Sequence, residues 1–99
     1  MATIKTAGQA LGSNSSAGGI TTATTIPSDR TRRSMTIQCS GTTVCYVLLG
    51  SGTPSSSNYH FALPSCAVAN DGSGGTVTLN DYTGPLVIGA KAHYVEFKG

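Results

Sequence analysis

The sequence predicts an all-β fold: a small antiparallel β-sandwich, jelly-roll-like, carrying an extended N-terminal arm. Three observations predict it. Short runs of apolar residues alternate with polar ones, as half-buried strands require. Gly, Pro, Ser, Asn and Asp punctuate the chain between these runs. No segment holds apolar residues at the three-to-four spacing of a helix face.

Residues 1–19 are mostly Ala, Gly, Ser, Thr and Gln, with almost nothing to bury. A segment of this composition cannot offset its own ordering entropy and is expected to need a partner surface. Ile20–Ile26 is Thr-rich and β-prone but alternates poorly, and Pro27 ends it. Residues 1–26 are therefore read as an extended arm that includes at most one strand, and 27–99 as the sandwich. Within the sandwich, Met35, Ile37 and Cys39 share one strand face. Val44–Leu49 is almost continuously apolar, the mark of a strand covered on both faces. Gly50–Asn58 is a Gly/Ser/Pro loop, and Tyr59, Phe61 and Leu63 alternate after it. Pro64–Gly75 is a long turn in which Asp71–Gly72 has the chemistry of a type I′ turn. Thr76–Leu79, Leu86–Ala90 and His93–Phe97 complete the strands, with Gly84–Pro85 as a breaker.

A chain of 99 residues has room for one domain, and one this small has a thin core that favours a staple or company. Charged residues make up 10% of it, against about a quarter in ordinary soluble domains. That scarcity suits a subunit whose surface is covered by neighbours. A net charge of +2 gives no footprint for nucleic acid. No apolar run reaches the length of a membrane-spanning helix. The opening MATIKTAGQALGS lacks an apolar h-region, so no secretory signal is expected.

The residues offer little to catalysis. His60 and His93 have no neighbouring ligand at zinc spacing. The acids Asp29, Asp71, Asp81 and Glu96 are scattered, Ser55–Ser57 lie in loop sequence, and Gly50–Ser51–Gly52 lacks the Gly-Lys-Ser/Thr ending of a phosphate loop. No cofactor or metal and no enzymatic activity are expected. If Ser40–Val44 joins two adjacent strands, Cys39 and Cys45 face each other across them, either as a disulfide or, by default in a cytoplasmically made protein, as free thiols. Cys66 has no evident mate.

One charge cluster stands out, Asp29–Arg30–Thr31–Arg32–Arg33, with half of the basic residues within four positions. It reads either as an anchor for an acidic partner surface or as a solvated edge that blocks wrong strand pairing.

Arg32–Arg33–Ser34–Met35–Thr36–Ile37–Gln38 resembles the R-x-S-hydrophobic-T-I-Q-N strand of small β-sandwich virion proteins of tailed bacteriophages. In the same order, Val44–Cys45–Tyr46–Val47 to Gly50 is similar to their V-Y-V strand ending in glycine, and Ser55–Leu63 to their Ser/Thr loop and aromatic strand. Asp71–Gly75 follows as the Asp-Gly turn, Asp81–Tyr82–Thr83–Gly84–Pro85 as D-x-Y-T-G-P, and Tyr94–Val95–Glu96 as the closing x-V-x-E. The similarity covers about residues 27–97. Cys39 departs from the usual Asn, and Cys66 from the small residues expected after Pro64.

The resemblance implies a non-enzymatic virion structural protein. The leading expectation is a capsid decoration (cement) protein on the capsid exterior, present in the host cytoplasm during assembly. It would bind the major capsid protein and copies of itself, as a homotrimer, with no nucleic acid or membrane. Arg30, Arg32, Arg33, Ile4, Lys5 and Ile20 are the candidate partner contacts. The alternative is a tail or head-fibre adaptor. A third reading is a carbohydrate-binding module using Tyr46, Tyr59, Tyr82 or Tyr94, whose positions in or beside strands favour core packing instead.

Overall fold

A computed structural model describes residues 15–98, and all of them are strand, turn or loop, without a helix. Eight strands follow in order: β1 (Ser15–Ile20), β2 (Thr24–Ile26), β3 (Arg32–Cys39), β4 (Cys45–Leu49), β5 (Phe61–Leu63), β6 (Thr76–Asn80), β7 (Leu86–Ile88) and β8 (Ala92–Lys98). They form two packed antiparallel sheets, β1-β8-β3-β6 and β2-β7-β4-β5. The first strand pairs the eighth, the second the seventh, the third the sixth and the fourth the fifth. The chain is thus one long antiparallel ribbon. Winding it into two layers adds the β3–β8 and β4–β7 pairings. This is the jelly roll, and the all-β sandwich read from the sequence is the fold.

The alternation of single strands supplies the core between the sheets. Met35, Ile37 and Cys39 of β3 meet Cys45 and Val47 of β4 and Leu86 and Ile88 of β7, all nearly inaccessible. Ile26, Leu63, Leu79 and Ala92 complete the cluster.

Four sequence expectations are corrected here. Ile20–Ile26 is not one strand: the chain bends at residues 21–23 and passes from the edge of one sheet to the edge of the other. Residues 15–26 therefore belong to the sandwich, and no arm extends to residue 26. Their polar, glycine-rich sequence hides this because β1 is held by its backbone ladder to β8 and by cross-strand rings. A Cβ on Gly18 would come within 3.2 Å of the Tyr94 ring, and one on Gly19 within 3.0 Å of the His93 ring. Secondly, the Ser40–Val44 segment is no hairpin. It crosses between sheets, so Cys39 and Cys45 belong to different layers and meet through the core as free, buried thiols. Thirdly, Asp71–Gly72 makes no type I′ turn, because the left-handed residues are Asn70 and Gly72, with Asp71 between them. Lastly, the strand expected over Leu86–Ala90 ends at Ile88.

The winding gives the sandwich two distinct ends. At one, β1 begins, β8 finishes, and the links 27–31, 50–60 and 81–85 turn over. At the other lie the links 21–23, 40–44, 64–75 and 89–91.

Candidate binding surface

The first end is built around Arg32. On a regular β3 this residue would share the outward face of Ser34, Thr36 and Gln38. A β-bulge between Arg32 and Ser34 makes Arg33 the extra residue and turns Arg32 inward. The residue is 2% exposed and its side chain is wholly buried. Nε donates to Glu96 Oε2 at 2.8 Å. Nη1 donates to the carbonyls of Tyr82 (3.2 Å) and Gly84 (2.9 Å), and Nη2 to that of Pro27 (2.8 Å). One guanidinium fork therefore ties the 27–31 and 81–85 links to β8, using the fixed geometry that lysine lacks.

Outside it, Asp29 accepts from the Thr31 hydroxyl (2.7 Å) and amide (2.9 Å), and Lys98 Nζ lies 3.0 Å from its Oδ2. The Thr31 bonds, with help from Lys98, hold the Asp29 carboxyl well below the usual carboxylate range. The same hydrogen bond pushes the Lys98 ammonium up. Arg30 and Arg33 remain exposed beside this network.

The expected site residues thus separate. Arg30 and Arg33 are surface cations at the end where residues 1–14 join β1. Arg32 is corrected: it is an internal clamp and cannot reach a partner. Ile20 is partly buried and packs against the chain's own core. Ile4 and Lys5 lie outside the described residues. Nothing in the sequence marks the bulge that separates Arg32 from its neighbours.

The opposite end carries an open groove of about 490 Å³, lined by Thr21, Thr22, Thr42, Thr43 and Lys91 among others. Beneath it sit the three thiols. Cys39 Sγ lies 3.4 Å from the Thr43 carbonyl, and Cys66 Sγ lies 3.4 Å from the Cys39 carbonyl. Burial, then the neighbouring Cys39, pushes the Cys45 thiol up to about 11, so it stays protonated and inert at neutral pH. Among the described residues no group of three or more His, Cys, Asp or Glu is arranged to hold a metal ion.

The outer face of the β2-β7-β4-β5 sheet is the third surface. No Asp, Glu, Lys or Arg occurs between Arg33 and Asp71, nor in β2 or β7, so the whole sheet is uncharged. The 50–60 link folds back over it. A Cβ on Gly52 would lie 3.2 Å from Leu48, and one on Gly89 would lie 3.1 Å from Pro54. That cover explains why Leu48 and Val87 are buried although they point away from the core, and why β4 is apolar throughout.

The comparisons with known proteins decide no identity. No family model matches the chain, and neither does a curated protein or a solved structure.

Proposed function

We propose that this chain is a non-enzymatic virion structural protein, a capsid decoration protein that binds the head of a tailed phage and stabilises it. The supporting observation is the convergence, at one end of a jelly roll, of the start of β1 with the exposed Arg30 and Arg33. Residues 1–14 and these two cations together form the gripping surface, and the Arg32 clamp holds that end rigid. The partners are the major capsid protein and further copies of this chain, as a homotrimer on the capsid exterior. Low overall charge and the resemblance of residues 27–97 to phage virion proteins favour the same reading.

The test is co-sedimentation with heads that lack this protein. Removing residues 1–14, which leaves β1 whole, should abolish attachment while the circular dichroism of the sandwich is unchanged. Charge reversal at Arg30 and Arg33 should weaken attachment and flatten its salt dependence. Full attachment of the shortened chain would overturn the proposal. Copy number in purified particles separates the two placements, high for decoration and low for an adaptor.

A further inference from the structure

We propose that the outer face of the β2-β7-β4-β5 sheet carries a saccharide-binding subsite, in which Tyr46 and Tyr59 stack on a neutral sugar ring and His60 donates to one of its hydroxyls. The four tyrosines divide cleanly. Tyr82 and Tyr94 pack against the core, and the Tyr82 hydroxyl donates to the Pro85 carbonyl at 2.6 Å. Tyr46 and Tyr59 take no part in the core. Their rings lie 5.1 Å apart, tilted by 46°, on the solvent side of β4, and Tyr59 is 45% exposed. With Tyr46 partly buried and Tyr59 half exposed, the pair has an apolar ring face and polar hydroxyl tips to offer a ligand.

The rim supplies the polar partner. Nδ1 of His60 accepts the Leu49 amide at 2.9 Å, so in the neutral imidazole the proton sits on Nε2, and the His60 side chain is exposed. Tyr59 is also held from both sides. Ser55 and Asn58 exchange backbone hydrogen bonds of 3.0 and 3.1 Å, Asn58 Nδ2 donates to the Thr53 carbonyl at 3.1 Å, and the His60 amide donates to the Val47 carbonyl at 2.8 Å. The platform is therefore preorganised, which lowers the cost of binding.

Chemistry selects the ligand class. A sheet without formal charge has nothing to recruit an anion or a cation, and it suits a neutral polyol. A protein partner fits less well. Stable protein interfaces cover roughly 800 Å² per partner around an apolar centre. Here Leu48 and Val87 are already covered, and Tyr59 and Val68 are the only exposed large hydrophobic residues among those described. Two rings and a donor are too little for that, and enough for one or two sugar units.

The experiment uses the full chain against a printed array of neutral glycans. Saturation-transfer NMR then follows with cello-, malto-, manno- and N-acetylchito-oligosaccharides. At least one neutral glycan should bind, with an affinity that does not change with ionic strength. Tyr59→Ala should weaken it by about tenfold or more, while Tyr59→Phe keeps most of the binding and Val68→Ala all of it. Absence of any neutral-glycan binding overturns the proposal, as does binding indifferent to Tyr59→Ala. Weaker particle attachment by Tyr59→Ala, without a glycan ligand, would assign the face to a protein and also overturn it. The attachment test above rests on residues 1–14 and the two arginines, so either proposal can fail alone.

Discussion

The two ends of the sandwich use the same local device for different purposes. At each, an aspartate folds a link by accepting from the residue two positions on: Asp29 from Thr31, and Asp71 from Ser73 through its hydroxyl (2.6 Å) and amide (2.9 Å). Asp71 also takes the Val68 amide at 3.0 Å, and its bonds go no further than its own link. Asp29 continues through Lys98 to Glu96 and Arg32, so its link is bound to the last strand. One end is closed by long-range charge, the other by backbone packing around thiols. The lesson is that clustered charge in a sequence can be closure rather than recognition, and that only burial separates the two.

The sharpest way to break this comparison is to remove the clamp. Arg32→Ala removes the 2.8 Å ion pair with the buried Glu96 and frees the carbonyls of Pro27, Tyr82 and Gly84, a loss of about 3–5 kcal/mol. Urea unfolding of the full chain should show that loss, while Arg33→Ala, one residue away, should change stability by less than about 0.5 kcal/mol. Equal effects would mean that the bulge does not separate the two side chains.

At the other end the corresponding weak point is Gly74. A Cβ there would overlap the Cys39 carbonyl and press on the Cys66 sulfur. Gly74→Ala should cost roughly 1–3 kcal/mol through strain in the 64–75 link. It should also raise the reactivity of Cys66 toward a thiol reagent in the folded protein. Unchanged thiol reactivity together with unchanged stability would show that this end does not depend on close backbone packing.

Such features mark where sequence reading stops. The β3 strand is legible because alternation reports a core face directly, and β4 because its unbroken apolar run reports cover on both faces; Met35, Ile37 and Val47 are buried as expected. The strand β1 was not legible, because Ser-Ser-Ala-Gly-Gly has no face to alternate and relies on rings supplied by Tyr94 and His93 far along the chain. The inward turn of Arg32 depends on one extra residue in a ladder, which shifts every parity argument before it. The tyrosines were visible as candidates, yet the division into a core pair and a surface pair required knowing that the 50–60 link lies over the sheet.

The smallest effect expected is in pH, and it tells the two aspartates apart. An unfolded aspartate titrates near 3.9. In the folded protein the Ser73 hydroxyl and amide and the Val68 amide hold Asp71 down at about 2, and Asp29 is held well below the usual range. Both folded values are depressed, so both groups add stability that is fully present above the unfolded value and is lost as pH falls toward the folded one. The melting temperature should therefore be flat from neutral pH to about 5 and fall below about 4. Asparagine keeps an acceptor oxygen at either place while removing the titration. Asp71→Asn should flatten the part of the fall between about 4 and 2, with no effect of salt, because only neutral donors face that carboxyl. Asp29→Asn should remove the steeper part at the lowest pH and also weaken the salt dependence, because Lys98 loses the nearer of its two carboxylates. Identical curves for the two variants would mean that the Lys98 bridge adds nothing to the Thr31 cap, and that the charged end is held by Arg32 and Glu96 alone.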